Sequence, residues 1–98
     1  MPKYMMIWEL DSSKIPVGRE DRAMAWEPMV GMVRQGIADG HIKDWGTFVG
    51  EAKGYSIAEG TEAEIMSFNQ QWVPFVDFKV YPIGTIDDVE TMIKELAQ

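Results

Sequence analysis

Ninety-eight residues suffice for one domain, since a chain of this length buries roughly 60 to 68% of the surface it exposes when unfolded, and a second core is excluded. The apolar fraction of 46%, with 11% aromatic residues, supplies a core and argues against disorder. Nine basic against sixteen acidic residues give a formal charge of −7 with the basic ones scattered singly, which disfavours nucleic acid and anionic membranes, and the absence of Cys removes disulfides and thiolate sites.

The opening "KYMMIWEL", residues 3–10, carries Tyr4, Met6, Trp8 and Leu10 on one parity and Met5, Ile7 and Glu9 on the other. Apolar side chains on both parities predict a strand covered on both faces. The apolar-rich run before Glu9 is too short for a secretory signal or a bilayer span, so a cytoplasmic location is expected. "DSSKIPVG" reads as a loop, and from Arg19 the residues Ala23, Trp26, Val30, Val33 and Ile37 recur at near-helical spacing up to Gly40. Pro28 lies inside this helix and predicts a kink.

"HIKDWGTFV" and "GYSIA" are expected to form two strands joined by a turn at "GEAK", with Trp45 and Val49 on one side of the first and Ile42 and Phe48 on the other. Thr61 precedes Glu64 in capping-box spacing and opens a second helix bearing Ile65, Phe68 and Trp72, which Pro74 limits. "PFVDFKVYP" alternates as a fourth strand, and Thr85 caps a last helix whose stripe is Val89, Met92, Ile93 and Leu96.

The order is β-α-β-β-α-β-α, an α+β chain in which residues 1–98 make one ferredoxin-like βαββαβ domain plus a C-terminal helix, with a four-stranded antiparallel sheet. An antiparallel sheet with one wet face should alternate apolar and polar residues. The first two strands do not, so a second layer is needed, and a homodimer joined through the open sheet faces is the expected source. As a whole the pattern resembles the dimeric α/β barrel superfamily, in which two such subunits pack sheet to sheet. The run from "GHIKDWG" through Gly50, "GYSI" and "VPFVDFKVYP" is similar to muconolactone isomerase, a member that shifts a lactone double bond, through Trp45, Gly50, Tyr55, Ser56, Pro74 and Pro82. The overall likeness is to small members without an assigned function, and the superfamily spans isomerases, cofactor-free oxygenases, haem enzymes and sensing modules, so fold alone does not name a reaction.

Glu9 is the candidate catalytic carboxylate, because enclosure on a two-sided strand would raise its pKa toward the range of a general base; the alternative places it at the strand end in water or paired with a cation. Trp8, Trp45 and Tyr55 are candidates to wall an apolar pocket for a small hydrophobic ligand, or else to serve as core or dimer interface. His41, the single histidine, follows Gly40, where it either caps the first helix or adds a polar contact to the ligand. Without a second His or any Cys, and without a phosphate-binding glycine motif, no metal and no cofactor are expected. Two functions follow: a cofactor-independent isomerase-like enzyme acting on a small hydrophobic or carbonyl compound, or a non-catalytic small-molecule binding or interaction module.

Overall fold

The computed structural model describes residues 2–98. Along the chain run β1 (Lys3–Leu10), a 3-10 turn (Ser12–Lys14), α1 (Arg19–Ala38), β2 (Ile42–Thr47), β3 (Lys53–Glu59), α2 (Glu62–Gln70), β4 (Val76–Ile83) and α3 (Ile86–Leu96). The strands form one antiparallel sheet in the order β2-β3-β1-β4, so β1 lies inside the sheet and pairs with both β3 and β4. This is the expected α+β, ferredoxin-like arrangement with its additional C-terminal helix.

Period-two alternation sends Tyr4, Met6 and Trp8 of β1 to the face that carries α1 and α2, where all three are buried. One buried cluster joins Trp8 to Val33, Ile42, Trp72 and Val76, the other joins Tyr4 and Met6 to Ala58 and Ile65, and Phe68 and Phe78 pack against both. The opposite face shows half-buried Met5, Ile7, Tyr55 and Ile57. It is not a polar surface.

Two expectations change in detail. A bulge between Ile42 and Asp44 inserts Lys43, which reverses the side-chain parity of β2. Ile42 and Trp45 therefore both join the helix-side core, while Asp44 and Gly46 take the register positions opposite Ile57 and Tyr55. Val49, expected in the strand, lies fully exposed in the connection to β3, so the open face is apolar through β1 and β3 and not through β2. In α1, Pro28 interrupts the donor series but not the helix, which is continuous over 20 residues. Its inward stripe is Trp26, Met29, Val33 and Gly36, Val30 lies at its edge and Ile37 is half exposed, and Gly36 is the residue that lets α1 approach Ile42.

Helix ends follow local chemistry. Gly40, at φ +81°, donates its N–H to the Ile37 carbonyl at 3.1 Å while the His41 N–H reaches the Gly36 carbonyl at 3.0 Å, closing α1 in a Schellman pattern. Thr61 with Glu64, and Thr85 with Asp88, form complete capping boxes on α2 and α3. Replacing Thr61 by Ala should cost about 1 kcal/mol and lower the melting temperature by about 4–8 °C, read by thermal circular dichroism.

Helix α3 stands apart from these layers. All of its residues are exposed, including Ile86, Val89, Met92, Ile93 and Leu96 on a single stripe, and the molecule measures 61 × 26 × 19 Å with a radius of gyration of 16.5 Å. A compact chain of this length would have about 13 Å. The excess is the arm formed by α3, and an isolated helix shorter than about 12–15 residues is marginal in water.

Candidate functional site: a tryptophan-walled cavity and its outer groove

The sheet supplies Trp8 and Trp45, α1 supplies Trp26, and the turn after α2 supplies Trp72; these are the chain's four tryptophans, and all of them line one small cavity of about 30 Å³ between α1 and the sheet. The rings of Trp8 and Trp45 stack at 5.4 Å and 10°. Gly54 makes this possible: it faces Trp8 across β1 and Thr47 across β2, and the missing side chain leaves room for the indole. Trp8 Nε1 donates to the Tyr55 carbonyl at 3.2 Å, which satisfies its polar edge. Ser56, itself buried, is the polar member of an otherwise apolar wall. A space of this volume holds about one water, too little for a ligand by itself.

Beyond it opens a groove of about 350 Å³ between the 3-10 turn, the first half of α1 and the turn after α2. Trp26, Met29 and Trp72 belong to the walls of both spaces. The groove's charged residues are Asp11, Lys14 and Arg22. Arg22 Nη1 donates to the Val17 carbonyl at 2.6 Å, which ties the guanidinium to the loop. Asp11 accepts from the Ser13 hydroxyl at 2.7 Å and the Ser13 N–H at 3.0 Å. Those bonds, helped by the charge of Lys14, hold its carboxyl below the ordinary Asp range. Trp72 is buried, and its Nε1–H has no acceptor among the described residues.

Of the residues singled out in the sequence, Trp8 and Trp45 meet in the cavity. Tyr55 does not join them. Alternation along β3 turns it to the open sheet face, where its hydroxyl donates to Asp44 Oδ2 at 2.8 Å and it stacks on Phe48. The hydrogen bond to Asp44, then burial and the carboxylate's charge, push the Tyr55 phenol up. Glu9 also lies on the open face, exposed, at the register position between Lys53 and Asp77. Within one chain nothing encloses it, so the expected enclosure is not provided by its own fold. His41 is exposed as well and borders a different groove, with Glu64 and Ile65. It caps α1 through its backbone N–H. Glu64 is held below the ordinary Glu range by the Thr61 backbone N–H, then by the Thr61 hydroxyl, with a smaller contribution from His41.

Sequence reading missed Lys14 and Arg22, which stand eight positions apart on a turn and a helix and show no spacing signal. Trp26 and Trp72 were legible only as core residues, although the presence of every tryptophan around one space is what marks the site. Among the described residues no cluster of three or more His, Asp or Glu side chains is placed to hold a metal, and no helix is long and apolar enough to cross a membrane.

These features define a small ferredoxin-like α+β protein with an apolar site between its first helix and its sheet. The chain belongs to the family described as Domain of unknown function (DUF3303), whose model matches residues 2–97. No curated protein matches it.

Proposed function

We propose that this protein is a small-molecule binding module that works as a homodimer of the dimeric α/β barrel kind, taking a small hydrophobic ligand in the groove and cavity beside α1. The observation that carries this reading is the convergence of all four tryptophans on one cavity, two of which, Trp26 and Trp72, also wall an adjoining groove of ligand size. An isomerase-like reaction of the kind suggested by the likeness to muconolactone isomerase would need a base beside the reacting carbon. The cavity wall offers the Ser56 hydroxyl, the groove's carboxylate Asp11 is tied through Oδ1 to Ser13, and Glu9 lies on the other side of the sheet. Binding without turnover is the reading this geometry supports.

The second copy enters for a separate reason. Met5, Ile7, Tyr55 and Ile57 remain only half-buried on the open sheet face and α3 has its apolar stripe in water, so a partner chain would cover both.

Because Trp26 and Trp72, two of the four tryptophans, wall the groove, ligand entry should perturb a large part of the intrinsic fluorescence. Titration with octanol, an uncharged probe, should give a saturable change in tryptophan emission and calorimetric binding of one molecule per chain. A flat titration by both methods at millimolar octanol would overturn the reading.

A further inference from the structure

We propose that the ligand of this site is an apolar carboxylate, its hydrocarbon part lying between Trp26, Met29 and Trp72 and its carboxylate held at the groove rim by Arg22 and Lys14. The proposal rests on the binding reading above and adds the chemical class of the ligand.

Two observations converge on it. The groove rim carries two cations against the single carboxylate of Asp11, in a chain whose formal charge is −7, so the rim is locally positive where the molecule as a whole is not. Asp11 takes both Ser13 hydrogen bonds on Oδ1, which ties that oxygen to its own turn. Arg22 is anchored through one guanidinium nitrogen on the Val17 carbonyl, a contact that fixes the side chain and leaves its remaining donors for an anion. A guanidinium held in place loses less freedom when it takes up a carboxylate, and its planar fork suits that partner. A pure hydrocarbon would leave the rim cations without a partner.

The floor of the site sets the other half of the ligand. Beyond the rim the lining is Trp26, Met29, Met32, Trp72 and Phe75, which accepts a single chain or ring without further polar groups. Met side chains tolerate several shapes, so selectivity should lie in the anion rather than in the exact skeleton.

The test compares octanoate with octanol, two probes of the same chain length that differ in their head group, by calorimetry and tryptophan emission on the full chain. Octanoate is expected to bind roughly tenfold more tightly than octanol, the difference expected of a charge-assisted contact at a partly exposed rim. In Arg22→Gln that preference should shrink to about twofold. Lys14→Gln, on an exposed turn with no role in the core, should reduce the preference by a smaller factor and serves if Arg22→Gln folds poorly by circular dichroism. Raising the salt from low to high concentration should weaken octanoate and not octanol. Equal affinity for the two probes, or a preference that survives both substitutions, overturns the carboxylate assignment and leaves the binding reading standing. Failure of both probes to bind overturns that reading and this inference with it.

Discussion

Gly54→Ala should lower the melting temperature by roughly 12–24 °C, or leave the chain unfolded at ambient temperature, the first figure corresponding to about 3 kcal/mol of overpacking. A Cβ at this position would overlap the Gly46 carbonyl oxygen of the neighbouring strand and the Trp8 indole at once. The first obstacle is backbone and cannot rotate away, and the second is a buried ring already stacked on Trp45 and hydrogen-bonded to the Tyr55 carbonyl. Relief would require β2 and β3 to separate or Trp8 to leave the core. The contrasting position is Gly31, in the exposed part of α1, where an added Cβ meets nothing within 4 Å. Gly31→Ala should instead raise stability by about 0.5–1 kcal/mol, because Gly in a helix interior costs that much relative to Ala. Differential scanning calorimetry of the two variants separates the cases, and a Gly54→Ala protein that melts within a few degrees of the unaltered chain would show that Trp8 is not held as described.

The contrast between these glycines shows where sequence reading succeeds and where it stops. Elements announced by local chemistry were legible: Thr61 with Glu64, Thr85 before its acidic turn, and Gly40 after α1 each satisfy backbone groups within a few residues of themselves. The order of strands and helices followed from them. Facing was harder, because it depends on register. Lys43 is an unremarkable residue in the sequence, yet as the extra residue of a bulge it moves Trp45 from the side opposite Ile42 to the same side. Tyr55 was grouped with Trp8 and Trp45 by residue type, but β3 places it next to Ser56 and therefore on the other face. Trp72 was assigned to a helix that ends earlier, at Gln70, and the turn that follows is what brings its ring between cavity and groove. Lys14 and Arg22 share the groove because the loop after β1 and the first half of α1 wall the same space, an arrangement that no local pattern carries.

Sedimentation equilibrium of the unaltered protein at micromolar concentration should give a homodimer, and Ile93→Glu and Ile7→Glu should each convert it to monomer. Both positions are chosen because a solitary chain would tolerate the change. Ile93 is 56% exposed on α3, and Ile7 lies half-buried on the open sheet face between Tyr55 and Lys79. Substitutions at a surface position such as Ile93 in a monomer usually move stability by no more than about 0.5 kcal/mol, and circular dichroism of Ile7→Glu checks that its chain remains folded. If a second copy covers them, each loses the burial of an aliphatic side chain, about 2 kcal/mol. A two-fold interface carries every substitution twice, which makes about 4 kcal/mol per dimer and raises the dissociation constant about a thousandfold. The two variants also report on different surfaces. Loss of the dimer in Ile7→Glu alone would place the interface on the sheet and leave α3 uncovered, whereas loss in both makes α3 an arm that lies on the partner. An 11-residue helix exposed along its whole length has reason to do the latter, since its stripe of Ile86, Val89, Ile93 and Leu96 otherwise faces water. A monomeric unaltered chain would end the proposal of a second copy, and with it the explanation of both surfaces.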